Sequence, residues 1–119
     1  MDRTSQFNKK DIEENKGIAA FAYFGLSFVM PLWGAYDSDF ARFHANQGMV
    51  LALNELIWSI LIIVSHLLTA VNPVFRIVRT ILWLSLVVFI VFFSIYGTVN
   101  AIKGKAKELP IIGSIRIIG

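Results

Sequence analysis

The chain has no cysteine. That excludes disulfides, thiolate nucleophiles and cysteine-ligated metal sites. Charge is scarce as well: Asp, Glu, Lys and Arg make up 16% of the residues, where a soluble domain carries about a quarter. Only three prolines interrupt the 119 residues, so long helices meet few breaks. The net charge of +3 is not gathered in one basic block, which argues against a nucleic-acid footprint and suits an anionic lipid surface. What the chain does have is apolar surface: 56% of its residues are hydrophobic and ten are Phe. A soluble domain of this size cannot hide so much. In a bilayer it need not be hidden.

The hydropathy pattern divides the chain into a polar N-terminal tail over 1–16, a helical membrane domain over 17–107 and a short interfacial tail over 108–119. The first stretch mixes Lys9, Lys10 and Lys16 with Asp11, Glu13 and Glu14, and reads as a frayed lead-in to a short helical turn. It lacks the basic start and cleavage site of a secretory signal. The first apolar segment, Gly17 to Trp33, is uncharged but only seventeen residues long, at the lower limit for a span, and Pro31 ends or kinks it. The second opens on "DSDFARFHANQG", where Asp37, Ser38 and Asp39 are N-cap candidates. A helix from Phe40 to Ala70 would be roughly 45 Å long, against a hydrocarbon layer of about 30 Å. Its first turns therefore belong in the headgroup zone as an amphipathic interfacial approach. The third, Thr80 to Ile102, has 23 uncharged residues and is long enough to span. The link "VNPVFRIVR" is short, so helices two and three are expected to form an antiparallel hairpin. In the tail, Pro110 and Gly113 prevent a fourth span, leaving it to lie in the interface or to fold back on the bundle.

Polar residues of the second segment are not scattered. His44, Gln47, Asn54, Glu55, Ser59, Ser65 and His66 fall within an arc of about 140° at ~100° per residue. Ser85, Tyr96, Asn100 and Lys103 share one side of the third, within about 60°. Polar groups are costly against lipid, so these sets predict an interhelical seam of His44, Gln47, Asn54, Glu55, Ser59, Tyr96, Asn100 and Lys103, with Gln47–Asn100 as its best pair.

Several chemical readings fail on spacing. His44 and His66 lie 22 residues apart, roughly 33 Å along one helix, too far to share a metal ion. "GTVNAIKGKAK" imitates a phosphate loop, but its glycines are wrongly spaced and Ala106 stands where magnesium needs a hydroxyl. No nucleophile, base and orienting group occur together. The expectation is a non-enzyme without cofactor or metal. Glu55, a carboxylate within an apolar helix, is either a satisfied buried acid or the centre of an ion or proton path.

Three blocks carry a resemblance: "FAYFGLSFVMPL", "DSDFARFHANQGMVL" and "IYGTVNAIKGKAKELPIIGSI". Across about Gly17 to Ile115 the chain resembles small bacterial membrane proteins, largely a family of unknown function. These are similar to the membrane subunit of the chloroplast inner-envelope protein-import translocon and to MamF-like magnetosome membrane proteins. The shared positions are Phe43, His44 and Gln47 in the first specific block and Gly104, Lys105 and Pro110 in the second. The resemblance implies a helical membrane protein without catalytic activity, with a role in protein passage or membrane assembly. Where the translocon subunit is expected to have four apolar segments, this chain has three.

The sequence thus predicts an all-α, multi-pass integral protein of the cell membrane. It has three transmembrane helices, the first either spanning or re-entrant. Its partners are the lipid bilayer and another copy or another membrane protein, not nucleic acid. It acts by helix–helix association, the alternative being an oligomeric conductor that uses the buried carboxylate. With three spans the Lys and Arg residues divide six against five, and with a re-entrant first segment nine against two.

Overall fold

A computed structural model describes residues 2–117 and is helical, with no strand among the described residues. Its extents are 57 × 23 × 20 Å. Helix α1 (Lys9–Ala19) is followed by two 3-10 turns (Ala20–Tyr23 and Gly25–Phe28), the short α2 (Val29–Gly34), and the long α3 (Asp39–Leu68) and α4 (Phe75–Ile102).

Local chemistry accounts for the boundaries. Asn8 caps α1 by accepting from the Lys10 and Asp11 N–H groups. Ser38 caps α3, its hydroxyl accepting from Ala41 N at 3.0 Å. At the far end of α3, the Asn72 side chain accepts from Val74 N and shapes the turn into α4. The C-terminus of α4 closes in a Schellman motif: Lys105 N–H reaches the Asn100 carbonyl at 2.8 Å and Gly104 N–H the Ala101 carbonyl at 3.0 Å. Gly104 occupies the left-handed position this needs, at φ +72°.

The long helices match the two later apolar segments, and both are long and apolar enough to cross a membrane. They contact each other along their length, Trp58 meeting Phe89 at 6.3 Å between ring centroids and Arg79 Nη1 meeting His66 Nδ1. The first apolar segment differs from the expectation of one helix. It is broken into two 3-10 turns and the six residues of α2, so residues 17–33 form an elbow. Gly25, at φ +58° where the second turn begins, interrupts any continuous helix, and Pro31 adds a second constraint. Residues 2–16 are also more ordered than a frayed tail, since α1 buries Ile12 against the core.

Burial is uneven along the molecule. The core gathers at one end, from Ala19 to Tyr23, Phe40 to Leu51 and Ala101 to Ile112. Below it α3 and α4 are bare: only 28% and 11% of their most apolar windows are buried. Ile57, Ile63, Leu84 and Val88 face outward. A soluble core helix would show the reverse. The molecule has a packed polar head on two apolar legs.

Candidate functional site: a polar head joining both sequence blocks

The head begins with small residues. The Ala20–Tyr23 turn is wedged between α3 and α4, where side chains are missing on both flanks. A Cβ on Gly48 would lie 1.9 Å from the Ala22 carbonyl oxygen, and one on Gly97 would lie 2.2 Å from the Tyr23 ring. Ser94 of α4 holds the turn by donating to the Tyr23 carbonyl at 3.0 Å.

Tyr23, thus placed, points its hydroxyl at His44 Nδ1, and His44 Nε2 lies 3.0 Å from the Lys105 carbonyl. A carbonyl only accepts, so Nε2 carries the hydrogen and Nδ1 accepts from Tyr23. Tyr23, Phe40 and Phe43 box the imidazole edge-on at 4.7–5.6 Å between centroids. His44 has no exposed surface and both ring nitrogens are engaged. Its role in this geometry is to join three segments.

The next turn of α3 repeats the arrangement. Gln47 donates to the Gly113 carbonyl at 2.9 Å and accepts from Leu109 N–H at 2.9 Å. Asn46 donates to the Ile115 carbonyl at 3.0 Å and accepts from Ile117 N–H at 2.7 Å. Each amide thereby satisfies one donor and one acceptor of the folded-back tail. The N-terminal region closes the other side. Asp11 accepts from the Ser38 hydroxyl and from Phe40 N–H, the latter at 3.0 Å. Ala106 accepts from Arg3 N–H at 2.8 Å, and its own N–H donates to the Thr4 hydroxyl at 2.9 Å. Hydrogen bonds from Thr4 hold the Asp2 carboxyl below its usual pKa, with nearby Lys107 and Lys105 adding to the effect.

The predicted seam is therefore divided. Gln47 pairs with the tail and not with Asn100. The reason is geometric: the returning tail brings backbone donors and acceptors to Gln47, whose own helix cannot. Asn100 is buried, with its backbone carbonyl in the Schellman motif. Asn54 and Ser59 donate to carbonyls of their own helix, those of Val50 and Glu55, and so join nothing across helices. Tyr96 stacks on Phe92 at 6.0 Å, and Lys103 is exposed at the end of α4. Glu55 lines a groove against Gly25 and Phe28, and its carboxylate has no hydrogen bond or ion pair among the described residues.

By contrast, the six positions of the sequence resemblance converge on the head and its tail. Phe43 packs against Phe7 at 5.5 Å and under the Arg116 guanidinium at 5.6 Å. His44 and Gln47 bond the tail, Gly104 turns the chain, Lys105 supplies the carbonyl for His44, and the Pro110 carbonyl accepts from Ile112 N–H at 2.8 Å. The two specific blocks are halves of one structure. Asp11, Tyr23 and Asn46 belong to it as well, although helical periodicity singled out none of them.

No curated protein and no solved structure matches the chain. The expected similarity to the chloroplast translocon subunit is therefore not shown. The profile of the magnetosome magnetite crystal formation protein family matches residues 14–118, which take in both blocks of the head, and the chain belongs to that family.

Proposed function

We propose that this protein is a non-enzymatic, two-span component of the magnetosome membrane that acts in building it, by association of its apolar helices beneath a fixed polar head. The observation that carries this reading is the inverted burial: packing is confined to the head while both legs are bare and apolar. The legs form an antiparallel hairpin, and the elbow over 17–33 enters and leaves on one side. The meeting of residues 2–4, the Asp37–Asp39 corner and the tail at one end supports the re-entrant arrangement. Nine of the eleven Lys and Arg residues then lie on the head side, with Arg76 and Arg79 opposite. By the positive-inside rule the head faces the cytoplasm.

The cysteine-free chain makes the test direct. Single cysteines are placed at the exposed positions Ser5, Asp37, Ser114 and Val71. An impermeant maleimide applied to sealed vesicles should label the first three from one face and Val71→Cys from the other. Asp37→Cys labelling opposite to Ser5→Cys would restore three spans and sink the two-span reading. For the association itself, cysteines at Val88 and Phe92 on the outward face of α4 should crosslink between copies, or to a neighbouring membrane protein, in native membranes. A chain that stays uncrosslinked and monomeric there does not work by association.

A second reading concerns Glu55 alone. Its unpartnered carboxylate in the groove beside the elbow favours an oligomeric proton or cation conductor. Liposome flux of wild type against Glu55→Gln decides it; background flux from both removes the idea.

A further inference from the structure

We propose that the head carries a binding site for a phosphate-type oxyanion, built from Arg3, Arg42 and Arg116. These residues come from the N-terminal region, the first turn of α3 and the folded-back tail, and they line one polar cavity of about 240 Å³. Gln6, Phe7, Asp39, Phe43 and Asn46 complete its wall.

The charges in the cavity do not balance internally. Arg3 and Arg116 approach the same carboxylate, Glu108, at 4.0 and 3.5 Å. Arg3 is also fixed by Gln6, to which its guanidinium donates at 3.0 Å. Arg116 is held over the Phe43 ring. The Arg42 guanidinium makes no hydrogen bond or ion pair among the described residues, although the residue is half-buried. Three guanidiniums thus line the cavity with one carboxylate, Asp39, while Glu108 pairs with Arg3 and Arg116. Drawing like charges together across three separate segments is unfavourable unless an anion offsets it. Planar guanidinium forks suit the oxygens of a tetrahedral oxyanion, which they engage in pairs. Arg42 lies one turn inside α3, within the head, and the anion is either a lipid phosphate from the headgroup layer or a free phosphate from solution. Either would bridge the N-terminal region, α3 and the tail.

The experiment uses the full chain, in detergent and in nanodiscs. Inorganic phosphate is titrated against the detergent-solubilised protein at constant ionic strength. In parallel, nanodiscs of phosphatidylcholine are compared with nanodiscs containing phosphatidylglycerol. The thermal midpoint and the apparent dissociation constant are read for wild type, Arg42→Gln, Arg42→Lys and a same-side charge control, Lys103→Gln. Binding should weaken about tenfold in Arg42→Gln, the loss expected for a charge-assisted contact, and less in Arg42→Lys. Lys103→Gln should bind as wild type. Stabilisation by phosphate marks a free-anion site, and stabilisation by phosphatidylglycerol alone marks a headgroup site; both support the proposal. It is overturned if neither probe raises the midpoint. It is also overturned if Lys103→Gln weakens binding as much as Arg42→Gln, since the effect is then general surface charge. The Arg42 guanidinium makes no hydrogen bond or ion pair among the described residues, so its variants are expected to fold, which far-UV circular dichroism checks.

Discussion

The Gln47 carboxamide accepts from one tail N–H and donates to one tail carbonyl, and Gln47, Leu109 and Gly113 are all buried. A leucine there fills similar volume but leaves both backbone groups without partners. Each buried orphan costs about 1–3 kcal/mol, so Gln47→Leu should lower stability by about 2–6 kcal/mol. Thermal unfolding in mild detergent measures it, and an unchanged midpoint would show that the tail does not depend on this amide. Gly48 makes a second prediction. Gly48→Ala drives a methyl into the Ala22 carbonyl, a backbone group that cannot rotate aside. A loss of about 1–3 kcal/mol is expected, seen as faster protease cleavage in the elbow. At this scale periodicity identified the polar residues of α3 but not their partners. Helical spacing reports which side chains share a face. It says nothing of a tail that returns across more than sixty residues to meet His44 and Gln47.

Among the elements, the long helices were the most legible in the sequence, because uninterrupted apolar runs leave the backbone no other way to satisfy its hydrogen bonds in lipid. The Ser38 cap and the breaking action of Pro31 follow from local chemistry too. The elbow was less legible, since seventeen apolar residues satisfy the length rule for a span whether or not they bend. Its bend depends on Gly25 in the left-handed region and on a groove between Gly48 and Gly97 that only the tertiary structure reveals. The Schellman turn offers a test at this level. Gly104→Ala must hold a Cβ at positive φ, with that atom 2.8 Å from the Ile12 side chain. It should cost about 1–2 kcal/mol and loosen the tail while α4 stays helical. Hydrogen exchange reads this as lost protection at Lys105, whose N–H closes the motif. Protection equal to wild type would mean that the turn is held by the tail and not by its glycine.

At the scale of the whole molecule, head and legs are stabilised by different means, so they should fail separately. Deleting residues 108–119 removes the tail groups that meet Asn46 and Gln47 but touches no contact within the legs. Amide exchange should rise in α1 and in the first turns of α3, while the lower half of α4 in a bilayer remains protected. A uniform rise along the chain would show a single cooperative unit instead. The head also has a timing consequence. Its clasp joins Thr4 to Ala106, 102 positions apart, and Asn46 waits for Ile117. A ribosome therefore translates both hydrophobic helices before the residues that finish the clasp. Until then His44 and Gln47 of the nascent chain lack the tail groups that they meet in the folded head, an interval open to a chaperone or a protease.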